Sequence, residues 1–164
     1  MISKNILDAL NGQLNLEFHS AYLYLSMATY FDSINLKGCA RWMRAQFDEE
    51  VEHGMRVYEY LAERGGRIVL QAIETPQSEW KSPLDAFEQT YQHECEVTKQ
   101  INKLVNLATS EQDNATVVYL QPFVKEQVKE EAHTNDIVQK LKRIGDNSAS
   151  LLMLDQELAK RKAS

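Results

Sequence analysis

Residues 65–83 read G-G-R-I-V-L-Q-A-I-E-T-P-Q-S-E-W-K-S-P, and this stretch decides the fold. It opens on a glycine pair, contains Pro76, and closes on Ser82-Pro83-Leu84-Asp85. That close is a helix start, with Ser as N-cap, Pro in the first helical position and Asp in the first turn. The stretch from Gly65 to Lys81 is therefore a long connection between two helices. Upstream, Leu10, Leu14, Glu17, Ala21, Tyr24 and Ala28 recur at helical steps, marking a first helix from Ser3 or Asn5 to about Ser33. After a break at Ile34–Asn35, a second helix carries Met43, Phe47, Glu50, Gly54, Val57 and Leu61 and stops before Gly65-Gly66. Downstream, a third helix shows Leu84, Phe87, Tyr91, Glu94, Thr98, Ile101, Val105 and Ala108. A fourth shows Leu120, Phe123, Gln127, Glu130, Thr134, Ile137 and Leu141 and ends at Gly145. Pro122 requires that this helix either begin near it or bend there. Leu151, Leu154 and Leu158 mark a short fifth helix.

Two short hairpins joined by one long connection restrict the topology. A helix of about 28 residues is about 42 Å long, and about 17 extended residues reach about 56 Å. The connection can therefore run the length of a bundle and bring the third helix back parallel to the second. The expectation is an all-α, four-helix bundle with one long crossover and a short C-terminal helix. It forms a single domain over 1–164, with the bundle at about 3–144 and the short helix at about 147–161.

Bulk properties agree and exclude several functions. Charged residues make up 26% of the 164, hydrophobic residues 43%, with only 6 Gly and 3 Pro, the balance of a helix-rich soluble chain. The net charge of −6 gives no electrostatic footprint for nucleic acid. No apolar run approaches the roughly 18–20 residues needed to cross a bilayer, and the N-terminus lacks a secretory pattern. Two cysteines, Cys39 and Cys95, do not form a disulfide framework, so the cytoplasm is the expected compartment.

Each stripe is interrupted by a metal-capable side chain where a core hydrophobe belongs: Glu17, Glu50, Glu94, and Gln127 with Glu130. His53 lies one turn after Glu50 on the same side of its helix. Burying a carboxylate costs several kcal/mol unless it is paired or binds a metal. Counted from the two short turns, near residues 34 and 111, all of these positions fall within about one helical turn of one level. One such residue would be an unremarkable solvated charge; five on four helices predict a metal site. Oxygen-rich ligands with a single imidazole suit a pair of iron ions better than a structural zinc.

The motifs N-L-E-F-H at 15–19, E-E-V-E-H at 49–53, H-E at 93–94 and E-Q-V-K-E-E at 126–131 resemble those of the non-haem ferritins of bacterial type. The resemblance covers essentially the whole chain. It implies that Glu17, Glu50 and His53 hold one iron, with Glu50 bridging, while Glu94, Glu130 and Gln127 serve the second. Tyr24 matches a tyrosine that neighbours the family's iron centre. Glu49, Glu126 and Glu130 match a third iron site, although Lys129 stands where another carboxylate is common. The position at which bacterioferritins bind haem through Met is Val51 here, so no haem is expected. Positions that line an acidic channel in animal ferritins are Val117 and Leu120, which does not support iron entry by that route.

The resemblance implies a ferroxidase that oxidises Fe²⁺ with O₂ or H₂O₂ and stores Fe³⁺ as mineral in a cage of 24 subunits. Three other readings compete. A di-iron oxidase or peroxidase of bacterioferritin or rubrerythrin type would use Glu130-x-x-His133, but His133 lies a full turn beyond the ligand level. A DNA-protecting mini-ferritin is disfavoured by the acidic charge and the fifth helix. A metal-free helical interaction module leaves the five interrupting residues unexplained.

Overall fold

Ser3 begins the first helix by accepting a hydrogen bond from the backbone N–H of Ile6 at 3.2 Å. Such a cap is worth about 1 kcal/mol. In the computed structural model, which describes residues 1–162, α1 then runs Lys4–Ser33, α2 Lys37–Glu63, α3 Pro83–Ser110, α4 Asn114–Ile144 and α5 Ser148–Leu158. Among the described residues there is no strand. Residues 163 and 164, the last of the expected 1–164 unit, lie outside the described residues.

The helix ends have local causes. Asn35 has φ 60°, a left-handed value that suits Asn and turns the chain between α1 and α2. Ser82 accepts from the N–H of Asp85 at 3.1 Å with Pro83 inside the first turn of α3. Asp113 caps α4 through the N–H of Thr116 at 3.1 Å. Of the two expectations for Pro122, a helix start near it is not found: α4 begins at Asn114 and continues through the proline. Pro122 is exposed, so water can serve the carbonyl that its missing N–H would have bonded. Helix α5 ends at Leu158, short of the expected 161.

Residues 66–80 form no regular secondary structure and span from the end of α2 to the start of α3. Asn11 of α1 ties this crossover down, donating to the Arg67 carbonyl at 3.1 Å and accepting from the Val69 N–H at 2.8 Å. Trp80 at its far end is buried against Tyr30, with ring centroids 5.4 Å apart.

Two apolar clusters fill the bundle. One is aliphatic, built from Ile6, Leu10, Leu14, Val57, Leu61, Ile101 and Leu120, among others. The other is rich in aromatics, with Tyr24, Phe31, Trp42, Trp80 and Phe87, and is covered by Leu154 and Leu158 of α5. Helix α5 docks on α2 at very close range: a methyl group on Gly38 would sit 1.7 Å from the Asp155 carbonyl oxygen. The Asp155 carboxylate also accepts from the Cys39 N–H at 2.8 Å. That bond satisfies one of the bare donors of the first turn of α2, whose own cap residue, Leu36, offers no side-chain acceptor.

Candidate metal centre

Between the two apolar clusters lies a polar layer to which all four long helices contribute. Glu17 of α1, Glu50 of α2, Glu94 of α3 and Gln127 of α4 are each at most 3% exposed. Each falls in register with core residues on its helix, which is why the helical period carries it inward.

Glu17, Glu50 and His53 form the tightest group, each offering a ligand atom within 4.8 Å of the others. His53 Nδ1 stands 3.8 Å from Glu17 Oε2 and 3.5 Å from Glu50 Oε2. Both of those carboxylate oxygens are buried without a hydrogen-bond partner. Burial, and then the charge of Glu50, pushes the Glu17 carboxyl well above the usual carboxylate range. Burial and the charge of Glu94 do the same to Glu50. Such oxygens carry the full desolvation cost, which a divalent cation among them would offset. Ligands about 2.1 Å from one ion stand about 3–3.5 Å apart, so small side-chain adjustments close this group around a metal.

His53 is held from behind. Its Nε2 stands 3.3 Å from Glu126 Oε2, leaving Nδ1 directed at Glu17 and Glu50. A carboxylate behind a metal-facing imidazole fixes the ring's orientation. Burial opposes the imidazolium, but the Glu126 contact and the charge of Glu17 outweigh it and raise the His53 pKa. The His53 bond in turn lowers the Glu126 pKa. Arg56 adds two bonds to Glu126, at 3.1 and 3.0 Å, while its guanidinium lies 4.1 Å above the Phe123 ring.

The second group is bonded differently. Tyr24 donates to Glu94 Oε1, and Gln127 Nε2 donates to Glu94 Oε2 at 3.0 Å. Burial nevertheless raises the Glu94 pKa to about 7. Burial, then the Glu94 charge, keeps Tyr24 protonated well above its ordinary range. Glu130 is half-buried and accepts from Gln46 Nε2 at 3.1 Å. Burial and the neighbouring Glu49 raise its pKa.

The trio expected to hold a third ion, Glu49, Glu126 and Glu130, lines one cleft of about 300 Å³. Lys129 is exposed at its edge. The cations in contact with the trio are others: Arg161, 2.9 Å from Glu49, and Arg56 on Glu126. His133 lines the same cleft but is exposed.

Sequence reasoning missed Gln13, Gln46, Arg56 and Arg161. Gln13 is buried and donates to Glu17 Oε1 at 2.6 Å. It lies one turn from Glu17, a spacing that could have revealed it. His93 is half-buried and meets Ser20 of α1 at 2.7 Å. Burial and His19 lower its pKa to about 4. Cys39 is buried and Cys95 half-buried, and neither belongs to the polar layer.

Comparison with known proteins identifies the family and the fold. The profile of the Ferritin-like domain matches residues 7–144. A bacterial non-heme ferritin of Bacteroides fragilis is 40% identical over 161 residues, covering 98% of this chain and 100% of the relative. One from Staphylococcus aureus is 37% identical, covering 98% and 97%. Among solved structures, an open pore ferritin of the hyperthermophilic archaeon Archaeoglobus fulgidus superposes with a TM-score of 0.98 at 54% identity, covering 99% of this chain and 100% of that one. With its motifs, its crossover topology and its buried acidic layer all in agreement, the chain belongs to the ferritin-like family, alongside the bacterial non-heme ferritins.

Proposed function

We propose that this chain is the subunit of an iron-storing ferritin, which oxidises Fe²⁺ at the polar layer and keeps Fe³⁺ as mineral inside a cage of 24 cytoplasmic subunits. The observation that carries the reading is the pair of buried carboxylate oxygens, Glu17 Oε2 and Glu50 Oε2, left unbonded opposite His53 Nδ1. Such an arrangement is costly in the absence of a cation.

Iron is the substrate. Glu17, Glu50 and His53 take one Fe²⁺; Glu94 and Glu130 take a second, with Glu50 between the two. Gln127 and Tyr24 serve the second position through their bonds to Glu94. Each Fe²⁺ gives up one electron. The pair reduces O₂ with two protons to H₂O₂, or H₂O₂ with two protons to two waters. The acidic residues neutralise the charge of the incoming ions, and the apolar clusters on either side limit water to the layer itself. Glu49 and Glu126 line the adjacent cleft, where with Glu130 they take a third iron.

Aerobic loading with Fe²⁺ tests the reading. The purified protein takes up many irons per chain and shows dense particles by electron microscopy while eluting as a large cage. Uptake that stops at two irons per chain in a small oligomer would identify a di-iron oxidase instead.

A further inference from the structure

Past the end of α5, the chain makes one more turn, with the Arg161 N–H donating to the Leu158 carbonyl at 3.2 Å. The Arg161 side chain leaves solvent there and lies over the Trp42 ring, its guanidinium 4.3 Å from the centroid. Nη2 donates to Glu49 Oε2 at 2.9 Å and to Gln46 Oε1. Gln46 is fully buried, and its other end, Nε2, donates to Glu130 Oε2 at 3.1 Å. Three elements are thus linked in series: α5, α2 and the acidic residue of α4.

The polarity of this chain matters. A guanidinium only donates, so it fixes the carbonyl end of the Gln46 amide toward α5. The amide NH₂ then has one direction left, toward Glu130. Without Arg161, the amide is free to turn over and present its oxygen to the carboxylate, which repels it. With Arg161, Glu130 Oε2 is held by a donor, and the rotation of the carboxylate is set.

We propose that Arg161 is a positioning residue of the iron centre: through Gln46 it aims Glu130, so that the second metal position is completed only when the C-terminal segment is docked. The inference rests on the two-ion reading of the polar layer and assigns the C-terminal segment a part in it. Partners behind metal ligands typically change metal affinity by about 10–100-fold when removed.

Anaerobic titration with Co²⁺, followed by its visible absorption, measures the two positions without redox chemistry. The wild-type protein takes up two Co²⁺ per chain. Arg161→Ala weakens the second by about tenfold and leaves the first unchanged. Gln46→Leu does the same, and the double variant is no weaker than either single one, because both cut the same chain of bonds. Lys140→Ala supplies the control, since it removes another tie to α5, the 2.7 Å contact with Glu157, without touching Gln46. It leaves both Co²⁺ constants at their wild-type values. The inference is overturned if Arg161→Ala titrates like the wild type, if Lys140→Ala weakens the second ion equally, or if the two single losses multiply in the double variant. A wild-type protein that takes up fewer than two Co²⁺ per chain overturns the two-ion reading itself and this inference with it.

Discussion

The two halves of the polar layer are prepared in opposite ways. At Glu17, Glu50 and His53, two carboxylate oxygens face one imidazole nitrogen with no hydrogen bond between them and the protein. At Glu94 and Glu130, the oxygens are bonded to Tyr24, Gln127 and Gln46. The first half is held in an unfavourable arrangement by the surrounding pack of side chains, and a cation relieves it. The second half is comfortable without metal and relies on neutral donors to keep its carboxylates aimed. At the first half a cation fills bare oxygens and displaces the proton that burial keeps on the acid pair, whereas at the second affinity comes from orientation.

The largest test removes the residue common to both. Glu50→Ala should slow the fast phase of Fe²⁺ oxidation in stopped flow by about 100-fold or more, because it strips a ligand and not merely a supporting partner. An unchanged rate would abolish the distinction between the halves along with the site. Glu94→Ala should divide them: Co²⁺ titration should show the first ion bound as before and the second lost. Tyr24→Phe should weaken the second ion by about tenfold through loss of the bond that orients Glu94, again sparing the first. Loss at the first position instead would show that the two halves are not separately prepared.

A pH series sharpens the second half. Glu94 holds its proton up to about pH 7 in the folded protein, against an ordinary glutamate value of 4.5. The folded state therefore binds more protons than the unfolded state between those values. This contribution to stability is complete below the unfolded value and is lost as pH rises through about 7. The melting midpoint of metal-free protein should fall by several degrees across that window, and Glu94→Gln should flatten the fall. Calorimetry with and without the substitution measures it. The smallest effect belongs to Gly54, where an added methyl would meet the Phe18 ring at 2.9 Å. Gly54→Ala should lower the midpoint by about 2–4 °C for each kcal/mol of strain. It should disturb the first ion alone, since Phe18 adjoins Glu17.

How much of this was legible in the sequence depended on distance along the chain. Ser82, Pro83 and Asp85 start α3 by local bonds, and local bonds can be read from spacing. The common level of Glu17, Glu50, Glu94 and Gln127 was also readable, because rise per residue is constant and both short turns could be located. Arg161 was not readable. It acts beyond the end of its helix on residues more than a hundred positions earlier, and only the docking of α5 on α2 brings them together. Lys129 was readable only in part: its place beside the trio follows from helical spacing, whereas its exposure at the rim of their cleft does not. The regular part of α5 stops with its last periodic leucine, Leu158, and only one irregular turn carries the chain on to the expected 161.

The contact between Asp155 and the start of α2 has a consequence for the order in which the molecule is made. The second helix emerges from the ribosome long before the residue that caps it, and Leu36 offers no substitute. Until Asp155 is synthesised, that helix carries bare amides at its beginning, and a nascent or prematurely terminated chain is frayed there. A segment translated more than a hundred residues later is thus the one that closes the start of α2.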